Sequence, residues 1–145
     1  MSVNKILEKF REEFEQGELR VGPSESIDDL VASENVSDGS GVYVISGCRN
    51  TERAILYIGK AGTICQDGSI KKQGLRQRLK MKQDGTYRKV FFQKIIAEMK
   101  LDALHIEWFV TYSPGNGVPP FLAESELLAA FLAESRQLPP LNKSA

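Results

Sequence analysis

The chain has one histidine, one tryptophan and two cysteines in 145 residues, and its formal net charge is zero. Each scarcity removes a class of chemistry. His105 has no serine or cysteine partner in a nucleophile-elbow or triad context, which argues against covalent hydrolysis by that route. A lone histidine in a strand reads as structural. Cys48 and Cys65 lack CxxC spacing, which argues against a thiolate zinc site. Nothing in the pattern points to export, so both are expected as free thiols in a reducing cytoplasm. No apolar run approaches the ~20 residues that span a bilayer. The opening stretch MSVNKILEKFREEFEQ is amphipathic and acidic, unlike a secretion signal, so a cytoplasmic location without membrane contact is expected. The glycines near Lys60 are not spaced as a nucleotide-binding P-loop.

What the chain does have is a division of charge. Residues 1–40 hold four basic and ten acidic residues, and residues 60–100 hold eleven basic and three acidic. The basic block runs from Lys60 through Lys71, Lys72, Arg76, Arg78 and Lys82 to Lys100. It suits a polyanion partner. A solvated basic helix balanced by the acidic segment explains the same numbers.

Length fits one globular domain with its own core. Val3, Ile6, Leu7, Phe10 and Phe14 recur at helical spacing and predict an amphipathic helix over 3–16. GELRVGPSES reads as a connector, with Ser24 or Ser26 capping a short helix over Ile27, Leu30 and Val31. Val42–Ser46 and Ala54–Ile58 are β-rich and predict a hairpin joined by a loop over 47–53. Helices are expected over 74–82, 87–100 and 121–134, and a strand over 103–112. The order predicts an α+β fold, with a small antiparallel or mixed three-stranded sheet flanked by helices. Residues 1–38 are expected to form an N-terminal helical extension to a domain over 39–145.

Three features within this frame carry chemistry. Tyr43 and Tyr57 sit in the two hairpin strands, Tyr43 alternating with Ile45 and Tyr57 with Ile55, so matched register puts both phenols on one face. A phenol accepts a proton usefully only if cations such as Lys60 and Arg78 lower its pKa. A packed cross-strand tyrosine pair gives the same pattern. Arg78 and Lys82 are four apart and share a face of the expected helix, where a guanidinium fork suits two phosphate oxygens. Glu124 lies 3, 4, 7 and 8 residues before Leu127, Leu128, Phe131 and Leu132, on the stripe that faces the core. An inward carboxylate needs a partner or a metal, although the helix dipole alone also favours it near the helix start. One carboxylate with open positions suits Mg²⁺ or Mn²⁺, one ion.

Together these residues resemble the GIY-YIG nuclease superfamily. GVY at 41–43 and YIG at 57–59 match its name motif, with Val42 for isoleucine. Arg78 in LRQRL, Glu124 in AESELL and Asn142 in PPLN match its arginine, glutamate and asparagine. The resemblance spans residues 41–142. It implies that Tyr43, helped by Tyr57, orients or deprotonates the attacking water. By the same likeness Arg78 clamps the scissile phosphate, Glu124 holds the cation, Asn142 orders the site, and Gly41 and Gly59 admit close backbone approach. Many members carry a histidine or tyrosine where this chain has Lys82. Tyr87 or Lys89 would stand in for it.

The expected function is a metal-dependent DNA endonuclease, with Lys60, Arg76, Lys82, Arg88 and Lys89 as further phosphate contacts. The alternatives are a catalytically weak nucleic-acid-binding module on the same fold and a protein-interaction domain. In the last, the acidic N-terminal helix meets a second copy or another protein.

Overall fold

The computed structural model describes residues 1–71 and 74–145; Lys72, one of the expected cations, lies outside them. Among the described residues the fold is α+β, with a main antiparallel sheet and five helices. In chain order the elements are α1 Val3–Glu13, β1 Glu15–Val21, α2 Ile27–Ser33, β2 Ser40–Arg49 and β3 Glu52–Ala61. Next come β4 Thr63–Ile64, β5 Ile70–Lys71, α3 Leu75–Arg78, β6 Lys82–Gln83, β7 Thr86–Tyr87 and α4 Arg88–Glu98. The chain ends with β8 Ala103–Ser113, β9 Asn116–Gly117 and α5 Pro120–Ser135. No described helix is long and apolar enough to cross a membrane.

The main sheet runs β1-β8-β2-β3, with β9 on β8 and every pair antiparallel. This corrects the three-stranded expectation. The additional long strand, β1, comes from the segment read as a connector. Its Leu19 and Val21 enter one core while Glu18 and Arg20 stay exposed. Gly17 faces Trp108 across the pair, where a methyl group would lie 2.7 Å from the indole Cε2. A glycine there makes room for the largest side chain, and that is why the segment lacks a strand's usual pattern.

Two cores flank the sheet. Tyr43, Ile45, Ile106 and Trp108 pack with α2, α3 and α4 on one face, and Val42, Val44, Ile58 and Phe109 with α1 and α5 on the other. β2 is therefore buried on both faces, which explains its continuous apolar run. Residues 1–38 are not purely helical, and they share both cores with the rest of the chain. Phe10 meets Phe14 and Phe109 edge-on at 5.2 and 5.6 Å. Arg11 donates two hydrogen bonds to the buried Glu107 carboxylate, at 2.7 and 2.8 Å.

Local boundaries moved for physical reasons. The loop expected over 47–53 is a two-residue turn, Asn50 and Thr51, with Asn50 left-handed at φ 56°. Helix α3 stops at Arg78, and a β6–β7 hairpin follows in which Asp84 and Gly85 take φ of 55° and 81°. Positive φ at both central residues is the tight turn that Asp-Gly favours. Arg78 and Lys82 therefore do not share a helix face.

If α1 belongs to the core, Phe10→Ala lowers stability by about 3–5 kcal/mol, as for a buried phenylalanine. Urea denaturation with an unchanged slope checks this, and a loss under about 1 kcal/mol would mean α1 is not seated on the sheet.

Candidate active site

The site lies at β3, the sheet edge opposite β1. A bulge sets its geometry. The register passes from Ile45 opposite Tyr57 to Ser46 opposite Ile55, leaving Leu56 unpaired. One extra residue reverses the alternation. Leu56 and Tyr57 therefore both reach the α4-side core, and Ile55 packs on the α5 side. The expected pairing of Tyr57 with Ile55 is corrected, yet the two tyrosines still share a face. Their rings stand 6.1 Å apart at 33°.

Gly59 sits directly opposite Tyr43. A methyl group there would lie 2.5 Å from the Tyr43 hydroxyl and 2.7 Å from Cε2 of Tyr57. Its lack of a side chain is what lets the phenols converge. At Gly41 a methyl group would strike the Phe109 carbonyl, so that glycine lets β2 approach β8. Both glycines serve close approaches inside the fold.

Arg88 lies behind the tyrosines. It is 2% exposed, and its guanidinium stands 5.1 Å from the Tyr43 ring, 5.4 Å from Tyr57 and 5.8 Å from Phe92. Its Nε donates to the Gln83 side-chain oxygen and its Nη1 to the Arg78 carbonyl, both at 3.0 Å. No ion pair among the described residues involves it. Gln83, itself buried, was not anticipated from sequence; the Asp84-Gly85 turn beside it is the signal that would have placed it.

The Tyr43 hydroxyl is fully buried and has no hydrogen-bond partner among the described residues. Tyr57 is half-buried and is the phenol that lines the adjacent cavity. Burial pushes its pKa above the ordinary 10.0, Tyr43 and Glu124 add to the rise, and Arg88 and Arg78 oppose it. The expected lowering by cations is corrected: desolvation outweighs them, and the phenol keeps its proton at neutral pH.

Asn142 fixes this strand from outside. Its amide accepts from the Ile58 N–H and donates to the Ile58 carbonyl, both at 2.9 Å. Leu141 adds an N–H bond of 2.8 Å to the Leu56 carbonyl. The tail thus serves as a short strand partner to β3 and holds Tyr57 and Gly59 in place.

Glu124 is half-buried at the border of the α5 core stripe, beside buried Ala123, Leu127 and Leu128. Leu132, expected inside, is 47% exposed. Burial raises the Glu124 pKa above 4.5, while the fields of Lys60 and Arg78 oppose the rise. No ion pair among the described residues uses this carboxylate. No group of three or more His, Cys, Asp or Glu suited to a metal occurs among the described residues. A single hard carboxylate, buried enough to need a counter-ion, fits one water-rich Mg²⁺ or Mn²⁺ and no fully caged ion.

A cavity of about 310 Å³ opens beside these groups, walled by Tyr57, Arg78, Lys82, Arg88 and Asn142 among others. Tyr43 lies behind this wall. Glu124 and Lys60 are outside it, and Glu124 is within electrostatic reach of both Lys60 and Arg78. Lys82 is exposed at the rim, 5.1 Å from the Tyr87 ring. Two further expected phosphate contacts lie elsewhere. Arg76 is tied to the Val36 carbonyl at 2.9 Å and to Asn35 at 3.3 Å. Lys89 is exposed and off the cavity wall. His105 pairs with Glu18 at 3.1 Å where β8 meets β1. Both thiols are free.

Comparison of the chain with protein-family models, curated proteins and solved structures gave no match. Function therefore has to be inferred from the site's own geometry.

Because folding raises the Glu124 pKa, stability falls as pH rises through that pKa and stays reduced at neutral pH. In EDTA, Glu124→Gln is expected to melt above the unsubstituted chain at pH 7, with the gap closing below pH 4.5. Thermal denaturation across pH checks it, and a gap that persists at low pH would assign the effect to packing.

Proposed function

We propose that the chain is a metal-dependent DNA endonuclease of the GIY-YIG type, cutting phosphodiester bonds at the edge formed by β3, α3 and α5. The observation that carries this reading is the meeting of Tyr57, Arg78 and Arg88 on one cavity, with the Glu124 carboxylate in reach of Arg78. A phosphodiester carries negative charge that grows as water attacks, so cations fixed beforehand favour the transition state.

In this reading Arg78, whose guanidinium hydrogen-bonds to nothing among the described residues, clamps the scissile phosphate. Arg88 is rigid, with two of its N–H groups already committed, and adds field from behind. Tyr57 remains protonated, so it orients the attacking water through its hydroxyl and does not remove the proton as a phenolate. Tyr43 is sealed behind it and acts as a support. Asn142 holds the strand that carries Tyr57. Glu124 would hold the divalent ion, which when bound supplies charge neutralisation at the scissile phosphate and the leaving oxygen.

A second reading is favoured by one observation. Lys82 stands where many members place a base, and the raised Tyr57 pKa supplies no other. A nucleic-acid-binding module without catalysis would tolerate both.

Incubation with supercoiled plasmid in Mg²⁺ or Mn²⁺ separates the two readings. Cutting that stops in EDTA and falls about 10²–10³-fold in Arg78→Ala and in Glu124→Ala is expected for the endonuclease. Salt-sensitive DNA binding with no cutting by the unsubstituted chain would leave the binding module.

A further inference from the structure

We propose that the cavity beside Tyr57 is a receptor for a phosphate monoester, so that this edge holds a strand with a phosphorylated end more tightly than one without. The inference rests on the reading of this edge as a nucleic-acid site and names the form of its substrate.

The walls supply donors and very few acceptors. Arg78 lines the cavity, and among the described residues its guanidinium has no hydrogen-bond or ion-pair partner. Arg88 has Nε and Nη1 occupied, which leaves Nη2. The side-chain oxygen of Gln83 is taken by Arg88, so its amide N–H₂ is what remains. Lys82 adds an ammonium at the rim. The Asn142 amide is spent on both sides by Ile58. Among the described residues the one carboxylate on the wall is Asp84, and Lys143 occupies it at 2.8 Å. An uncommitted guanidinium, a buried and unpaired one and an amide donor define an anion site.

Two features select the end of a strand over its middle. A monoester presents three terminal oxygens and up to two charges near neutral pH, where a diester presents two oxygens and one charge. Three cations on the wall, Arg78, Lys82 and Arg88, with the one wall carboxylate paired to Lys143, exceed the single charge of a diester and favour the more highly charged monoester. The cavity is also walled by the tail, which Asn142 pins to β3 and Lys143 pins to the β6–β7 turn. At about 310 Å³ it has room for a phosphate with its sugar, at the small end of ligand-binding cavities. A duplex is far wider than that.

The test uses short single-stranded oligonucleotides that carry a 5′-phosphate, a 3′-phosphate or hydroxyls at both ends. They are bound to the full chain in EDTA and followed by fluorescence anisotropy. One phosphorylated form is expected to bind about tenfold tighter than the hydroxyl form, the worth of one charge-assisted hydrogen bond. Which of the two wins assigns the strand's polarity. Gln83→Leu and Arg88→Gln are expected to abolish the preference. Because Arg88→Gln removes a buried group and can unfold the chain, inorganic phosphate is also titrated into the unsubstituted protein. It should shift the Nε–H NMR signals of Arg78 and Arg88 and compete with the phosphorylated oligonucleotide.

Equal affinity for all three oligonucleotides overturns the proposal, and so does a preference that survives in a folded Gln83→Leu chain. End preference in a chain that cuts neither plasmid nor linear DNA with phosphorylated ends upholds this inference and removes the hydrolytic reading. Plasmid cutting without end preference does the reverse.

Discussion

A guanidinium withdrawn from water without a carboxylate partner has to be held by something else, and the way Arg88 is held organises this end of the molecule. It faces the rings of Tyr43, Tyr57 and Phe92, and its N–H groups reach the Gln83 side chain and the Arg78 carbonyl. One residue thus ties α4 to the sheet, to β6 and to the end of α3. Neutral partners leave its charge uncompensated, and in a low-dielectric interior that charge acts over distance. A structural ion pair would have cancelled it. Arg11 and Glu107 show that alternative in the same chain: a buried carboxylate met by two N–H groups at 2.7 and 2.8 Å. The contrast separates a pair that closes the fold from a cation with no carboxylate partner among the described residues.

The same edge is kept open by small residues and a borrowed strand. Gly59 admits two phenols into the space of one residue. β3 would otherwise expose a row of unpaired backbone groups, a standing liability of edge strands. Asn142 and Leu141 occupy part of that row from outside. Covering the edge with one side-chain amide and one backbone N–H leaves Tyr57 on the cavity wall, which another full strand would have hidden. Capping the edge and presenting the site are one arrangement.

Periodicity made the strongly patterned elements legible: α1, α4 and α5 from their helical stripes, and β2, β3 and β8 from their apolar runs. Elements whose pattern serves a neighbour were not. β1 reads as a connector because Gly17 yields its volume to Trp108, a relation with a residue 91 positions away. The β6–β7 hairpin was hidden because helical spacing was extended to Lys82 and resumed at Tyr87, although Asp84-Gly85 between them is a strong turn signal. At the site, the types and order of residues were readable, but burial was not. Arg88 and Arg76 look alike in a basic block, yet one faces three rings inside the protein and the other binds the carbonyl of Val36. Likewise the direction of the Tyr57 pKa depends on how much water the fold removes, which no spacing of lysines and arginines reveals.

The charge division also acquires a spatial meaning. The acidic first forty residues place their apolar side chains in both cores, so they do not lie as a detached cover over the basic surface. Their strand, β1, with exposed Glu15 and Glu18, forms the sheet edge opposite β3. The zero net charge thus hides a separation, with Glu15 and Glu18 on the β1 edge and Lys60, Arg78 and Lys82 toward the β3 end, across a four-strand width. A field of that form exerts little net pull on a distant polyanion but orients one that comes near, repelling it at β1 and drawing it to β3. Ions screen the effect beyond about 10 Å at 0.1 M salt. In the proposed nucleic-acid reading, orientation on approach belongs to the outer charges and grip to the buried guanidinium that salt reaches least.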